Sequence, residues 1–291
     1  MHPVTVGSLL VLLMVVLLLS GMPMAIALGA TGVGGILAMR AWGAAEYLLA
    51  GFPYSYTATF VFIVLPLFLF MGYMAFSANL SKYAFEAGER WLGHIPGGLA
   101  MATVFSCAAF SAVCGSSVAT ASTMARVALP EMLSRGYRAS LAGGCVAAGG
   151  TLGVLIPPSG VLVVYSFITE VSLVKLFFAA LVPGVLTAII YMAGIWIWVK
   201  LDPALAGHRR DEVRFPWRER FRSLVRAWEV MLLFGVVMGS IYAGIATSTE
   251  AAAVGALLSL LMVLRRPDAW AKVRQGLWDT GTGTSSVFFL F

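Results

Sequence analysis

Two stretches of this sequence combine hydroxyls, glycines and prolines in a way that a lipid-facing apolar helix does not. The first is Ser111-Ala112-Val113-Cys114-Gly115-Ser116-Ser117; the second is Gly149-Gly150-Thr151-Leu152-Gly153-Val154-Leu155-Ile156-Pro157-Pro158-Ser159-Gly160. In the second, two prolines remove two backbone donors and the glycines loosen the turn, so a regular helix is not expected through it. Freed carbonyls and Ser/Thr hydroxyls make a hard-oxygen cage suited to a sodium-sized cation, while the N-termini of half-helices face an anion. Close packing is the competing reading, because Gly115, Ser116, Ser117, Ala119, Ala121 and Ser122 are small enough to let helices touch and Pro157-Pro158 can be a kink. Two such breaks together, both at half-membrane depth, favour a site over packing.

Catalysis is hard to build from the remaining residues. The histidines are His2, His94 and His208, at the terminus or in loops, so no apolar segment holds a base beside a serine. Glu170 and Glu250 sit at segment edges, where Glu250 suits a cap on the helix starting at Ala251. Cys107, Cys114 and Cys145 lie in small-residue apolar runs without zinc spacing or a disulfide pattern, and read as buried hydrophobes.

The elements that must position the two breaks are membrane helices. Hydrophobic residues make up 60% of the chain and charged residues 11%, under half of the ~25% charge of a soluble domain. Eight or nine apolar segments are expected. Residues 4–20 and 24–39 flank Pro23, and 54–76 form a third span followed by an amphipathic stretch, 77–94, at the interface. The run 4–20 resembles a signal peptide but lacks a basic region before it, so it reads as a retained span. Runs 100–110 and 118–129 are each about half a bilayer long at helical rise, and predict a re-entrant hairpin with its tip at Gly115-Ser116-Ser117. Residues 139–169 are long but broken, 174–199 form an ordinary span, 200–226 the one long hydrophilic loop, and 228–243 and 251–264 two more runs around a polar joint. Residues 265–274 make a second basic loop, and a new segment starts at Gly276.

The arginines of 200–226 mark the cytoplasmic side, with those near 265–274, 126–138 and 82–90 agreeing, and put the N-terminus in the periplasm. The net charge of +6 is thus accounted for by membrane loops, and nucleic acid is not expected as a partner. The expected fold class is an all-α integral membrane protein: a multi-span helical bundle with a re-entrant helical hairpin and a broken helix. Its organisation divides into scaffold spans with an interfacial helix (1–96), a transport region with both breaks (97–170), a scaffold span with a basic loop (171–227), and a segment that restarts the pattern in inverted topology (228–291). A faint echo between 21–30 and 244–254 supports the inversion.

Three blocks carry a resemblance. Gly115-Ser116-Ser117-Val118-Ala119-Thr120-Ala121 with Val127-Ala128-Leu129-Pro130-Glu131-Met132 is one, and Ala147-Ala148-Gly149 through Ser159 is the second. The third is Thr247-Ser248-Thr249-Glu250-Ala251-Ala252-Ala253-Val254-Gly255-Ala256. Together they resemble the DctM-like large membrane subunit of tripartite ATP-independent periplasmic (TRAP) transporters, over essentially the whole chain and in family order. The resemblance implies sodium-coupled uptake of organic acids such as C4-dicarboxylates into bacteria across the inner membrane. A periplasmic binding protein would deliver the substrate, a small four-helix membrane subunit would flank the large one, and an elevator would carry the site. Membrane lipid surrounds it; no cofactor is implied beyond sodium as coupling ion. By position, Gly115, Ser116, Ser117, Gly150, Thr151, Gly153 and Pro157 would hold a sodium ion, and Thr120, Pro158 and Ser159 would neighbour the substrate.

The chain departs from the pattern at Ser248, where proline is usual, and the family's chains are longer, with a second inverted repeat. The expectation is therefore an inverted-repeat architecture with the second repeat incomplete, in a fragment or a shortened product. On that expectation the chain alone supplies half of a polar cage and does not drive uptake. A transport-incompetent membrane fragment that only assembles with partners is the alternative function. An intramembrane hydrolase, or a hairpin carrier needing no binding protein, stand further off.

Overall fold

The structure, a computed structural model, describes residues 3–39, 42–43, 46–47, 49–51, 59–207 and 215–289. Among these it is all-helical. The chain divides into two compact units, 1–62 with 281–291, and 63–280.

In the first unit, α1 (Pro3–Leu19) and α2 (Met24–Met39) pack on each other across a short link in which Gly21 adopts φ +83°. Leu10 of α1 rests on Gly35, where an added Cβ would lie 2.9 Å from its side chain. Thr31 hides its hydroxyl by donating to the Ala27 carbonyl at 2.8 Å, which removes a bare polar group from an apolar helix.

The second unit begins with α3 (Val64–Ser77), bent by 64° from α4 (Leu80–Leu92) at Asn79, which holds φ +66°. On α4 the apolar face, including Leu80, Ala84 and Phe85, is buried while Lys82 is exposed. The hairpin follows as α5 (Gly98–Cys114) and α6 (Ser117–Ser134). Then come α7 (Ala139–Leu155) and α8 (Gly160–Thr169), bent by 41° at the Pro-Pro break. The longest helix is α9 (Leu173–Leu201), after which Pro203–Ala206 forms a 3-10 turn. Finally come α10 (Trp217–Arg226), α11 (Trp228–Tyr242), α12 (Ser248–Leu264) and α13 (Ala269–Phe288), whose residues from 281 on are counted in the first unit. Among the described residues α9 alone is long and apolar enough to cross a membrane. The number rises to as many as 4 if each bent pair counts as one span.

Helix α5 is central to this unit, packing on α4, α6, α7 and α9, and α3 packs extensively on α12. The core around α5 joins Phe85, Leu99, Val104, Met132, Leu152 and Ile195. Small residues set how close the helices come: a Cβ on Gly149 would meet the Cys107 sulfur at 2.6 Å, and one on Gly255 the Met71 sulfur at 2.5 Å. At the α4–α6 end, the Arg135 guanidinium donates to Glu131 and Glu89, at 2.6 and 2.5 Å. The Trp91 indole donates to the Arg220 carbonyl at 3.2 Å and ties α10 to α4.

Several boundaries differ from the sequence expectations, for local reasons. The hairpin arms are 17 and 18 residues, not 11 and 12, so each is about 26 Å long at 1.5 Å per residue. Helix survives among the hydroxyls because Thr103 and Ser106 return theirs to the carbonyls four residues back, at 2.9 and 2.6 Å. Pro130 lies within α6 rather than ending it. Glycines 149, 150 and 153 remain helical, and the break is confined to 156–159. Residues 217–226, expected as loop, form an amphipathic helix with Trp217, Phe221 and Val225 exposed. Lys272 and Arg274, also expected in a loop, lie on α13. The third span starts at Val64, after a 3-10 turn at Phe60–Ile63; residues 54–58 of the expected span lie outside the described residues.

Candidate functional site

Helix α5 stops because Gly115 turns left-handed, φ +66°, a conformation that side chains with a Cβ resist. Its N–H still donates to the Ser111 carbonyl at 3.0 Å, and Ser116, extended, then caps α6 by accepting from the Ala119 N–H at 3.4 Å. Helix α7 stops because Pro157 and Pro158 cannot continue it; the bond between them is cis. Ser159, extended, precedes α8.

The two breaks meet. The Gly160 N–H donates to the Gly115 carbonyl at 3.1 Å. A Cβ at Gly153 would sit 2.7 Å from the Ser116 carbonyl and the Ser117 nitrogen, and a Cβ at Gly115 would collide with the Pro158 carbonyl. Main chain therefore lies directly on main chain, an approach that only glycine permits. Helices α6 and α8 begin at this joint and α5 and α7 end there, so positive and negative helix ends lie side by side.

The predicted site residues separate into two groups. Gly115, Ser116, Ser117, Gly153, Pro157, Pro158 and Ser159 come together at the joint, and all of them except Ser116 and Ser117 are buried. The Ser159 hydroxyl is buried with no hydrogen-bond partner. Such an orphan costs stability unless something satisfies it. Thr120 is fully buried one turn into α6, its hydroxyl 3.5 Å from that of Ser111. Gly150 packs instead on Ala121, along the α6–α7 contact. Thr151 faces elsewhere: its exposed hydroxyl donates to the Ala148 carbonyl at 2.7 Å and lies 3.4 Å from the Tyr191 hydroxyl on α9.

Beside the joint lies a cleft of about 280 Å³. It is lined by Gly72, Tyr73 and Phe76 of α3, Phe110 and Cys114 of α5, and Asp279 of α13. The α6 wall supplies Ser116, Val118, Ala119, Ser122, Thr123 and Arg126. Arg126 looks like a loop charge in the sequence, and Asp279 carries no signal of its own there. The signal was available in the α6 spacing: 116, 119, 123 and 126 recur at three- and four-residue steps, which is one helical face.

Of the other polar residues singled out in the sequence, Glu250 has a structural role. Glu250 and Thr247 form a capping box on α12: the Thr247 N–H donates to the Glu250 carboxylate at 2.8 Å and the Glu250 N–H to the Thr247 hydroxyl at 3.3 Å. The Thr247 backbone N–H, then its hydroxyl, hold that carboxyl below its usual range. Glu170 is an exposed left-handed C-cap of α8. His94 lies in the turn between α4 and α5, and the three cysteines are buried and free; His2 and His208 lie outside the described residues.

Comparison with known proteins places these features in a family. Residues 11–291 match the model described as tripartite ATP-independent periplasmic transporter, DctM component. The chain is 39% identical to a C4-dicarboxylate TRAP transporter large permease protein of Pseudomonas aeruginosa, over 70% of this chain and 47% of that one. It is 33% identical to an isethionate TRAP transporter permease protein of Oleidesulfovibrio alaskensis, over 84% of this chain and 38% of the relative. It is 31% identical to an ectoine/5-hydroxyectoine TRAP transporter large permease protein of Ruegeria pomeroyi, over 96% of this chain and 64% of the relative. The chain thus spans roughly half the length of the curated relatives it matches. These relatives are transporter permeases rather than enzymes.

Proposed function

The chain belongs to the DctM family of TRAP-transporter large permease components, integral membrane proteins, and from that premise we propose that it serves sodium-coupled uptake of organic acids across the bacterial inner membrane. A periplasmic binding protein delivers the acid, and a small four-helix membrane subunit flanks the large one. The N-terminus faces the periplasm in this reading, which the arginine distribution supports. Relatives named for C4-dicarboxylates, isethionate and ectoine support an acid as cargo, since each of these carries a carboxylate or sulfonate.

The observation that carries the reading is the backbone joint. Hairpin tip and helix break are clasped by the bond from Gly160 to Gly115 and by the seating of Gly153 on the Ser116–Ser117 peptide. Irregular backbone at membrane depth is tolerated where it is buried in protein or lines a cavity, and here it brings carbonyls and hydroxyls to one point. The buried, unpartnered Ser159 hydroxyl fits a hard-oxygen cation, with Ser116 and the tip carbonyls as further donors. Thr151 has other partners and is left out of this donor set. An elevator follows if the hairpin and broken helix, clasped in this way, move as one body; inverted repeats are the architecture that such motion uses.

The test is a sodium titration of the purified chain in detergent at constant ionic strength, with potassium as the exchanged cation, following the midpoint of thermal unfolding. Sodium should raise the midpoint. Ser159→Ala should weaken that response about tenfold or more, the loss of one ligand worth ~1.4 kcal/mol, whereas Thr151→Ala should leave it intact. An identical response to sodium and potassium in the parent chain would discard the coupling ion.

A further inference from the structure

Helix α10 carries two parallel stripes. Trp217, Phe221 and Val225 recur every four residues and are 65, 57 and 69% exposed, although all three are apolar. Arg218, Arg222 and Arg226 follow them one position later, which at 3.6 residues per turn sets the basic stripe about 100° round the helix. All three arginines are exposed, and none has an ion pair or hydrogen bond among the described residues. The helix is held from its other side. Ser223 is buried, the Trp91 indole of α4 donates to the Arg220 carbonyl at 3.2 Å, and the Trp91 ring meets Trp217 and Phe221 edge-on at 6.3 and 5.9 Å. The Arg220 guanidinium lies 5.2 Å from the Trp217 ring centre and steadies that ring from a second direction.

Its place in the chain decides what the stripes meet. Only Ala227 separates α10 from the largely apolar α11, and the two helices are bent by 52°. The next exposed apolar residues, Trp228 and Met231, lie on α11. In an integral membrane protein, a helix that turns off the mouth of an apolar helix lies at headgroup level, where tryptophan collects. An exposed apolar patch marks a contact with protein or membrane. A protein partner would have to supply acids along the whole basic stripe. A bilayer offers acyl chains to the apolar stripe and phosphates to the guanidiniums beside it.

We propose that α10 is a membrane-surface anchor selective for anionic phospholipid. Trp217, Phe221 and Val225 enter the acyl boundary, and Arg218, Arg222 and Arg226 bind headgroup phosphates of the same leaflet. The inference needs only the membrane location of the family and is independent of cargo and coupling ion. Through Trp91 the anchor reaches α4, which packs on the hairpin helix α5, so anionic lipid should stabilise the unit that holds the joint.

The first arm of the test places a nitroxide on the full chain at Val225→Cys and, separately, at Glu219→Cys, nearly opposite Trp217 on the helix. The unsubstituted chain gives the background, since its three cysteines are buried. In vesicles of phosphatidylcholine mixed equally with phosphatidylglycerol, the label at 225 should collide readily with oxygen. Its collisions with a water-soluble nickel chelate should be about fivefold or more rarer than at 219. Equal nickel access at the two sites would put α10 in water, and low access of both quenchers at 225 would put protein over it; either result overturns the proposal. The second arm follows the thermal-unfolding midpoint in detergent micelles as phosphatidylglycerol replaces phosphatidylcholine. The midpoint should rise, and the rise should shrink at high salt. Arg222→Gln should increase the anionic fraction needed for half of the rise by about fivefold, and Arg222→Lys by less. A midpoint indifferent to phosphatidylglycerol, or an identical titration in Arg222→Gln, overturns the headgroup selectivity. Should Arg222→Gln fail to fold, the lipid and salt responses of the parent chain still decide. Neither arm uses sodium or an organic acid, so failure here leaves the transport reading standing.

Discussion

Helices α1 and α5 have the same length, 17 residues, and both are apolar, yet they are opposites in use. Helix α5 buries 13 of its residues, while α1, among its described side chains, buries only Val6. The difference lies in side-chain size and polarity rather than hydrophobicity. Helix α1 is Leu and Val almost throughout; α5 alternates Ala, Gly, Ser, Cys and Thr with Met and Phe. In lipid there is no hydrophobic drive to hide Leu from tails that are equally apolar, so interiors are assembled from small residues that allow close contact. Hydropathy finds the membrane helices; residue size tells which of them face protein.

The sharpest way to break that comparison is to enlarge a glycine in each setting. Gly153→Leu should push the hairpin tip off the break and cost about 3 kcal/mol or more, because its Cβ would already be 2.7 Å from the Ser116 backbone. Gly7→Leu in α1 meets nothing within 4 Å and should be neutral or slightly stabilising, since glycine weakens a helix interior by ~1 kcal/mol. Chemical unfolding in micelles measures both, and similar losses at the two sites would refute the distinction.

Truncating a leucine should show a smaller contrast. Leu152→Ala, fully buried at the α5–α7 core, should cost about 2–5 kcal/mol, towards the lower end if the neighbouring small residues close in. Leu12→Ala on α1, 61% exposed, should stay within ~0.5 kcal/mol. A third variant probes the polar end of the buried region: Glu89→Gln weakens the bridge from Arg135 that joins α4 to α6, with an expected loss of about 1–2 kcal/mol by the same unfolding measurement. The smallest effect is at Glu250. Its carboxyl is held below the usual range by Thr247, so its cap contributes above the unfolded value near 4.5 and is lost as pH falls through the lower folded value. Amide exchange of the first turn of α12, corrected for intrinsic rates, should rise on acidification through that window and be insensitive to pH in Glu250→Gln.

Much of the α-helical framework was legible because apolar runs of span length have one solution in lipid. Residues 24–39 and 251–264 needed little correction, and the Pro157-Pro158 break appears where two missing donors demand it. The hairpin arms look short in the sequence because Ser, Cys and Gly lower hydropathy, although Thr103 and Ser106 satisfy their own hydroxyls within the helix. Helix α10 resembles a loop in the sequence because charge outweighs its apolar stripe in a sequence average; only the four-residue step from Trp217 to Phe221 to Val225 betrays it. Residue patterning alone does not give the meeting of tip and break, which only the family resemblance implies. It depends on which helices pack, and 40-odd residues separate Gly115 from Gly160.

The clasp between Gly160 and Gly115, and the seating of Gly153 on the tip, are made of peptide groups and bare Cα positions. Such a contact has no partner side chain to swap, so a damaging change at one member cannot be repaired by a matching change at the other. Variation among descendants of this sequence should fall around the joint, on the α6 face and at position 279, where side chains meet the cleft. Side chains can drift there while the backbone clasp stays fixed, so the sequence can change around the joint without a change of fold.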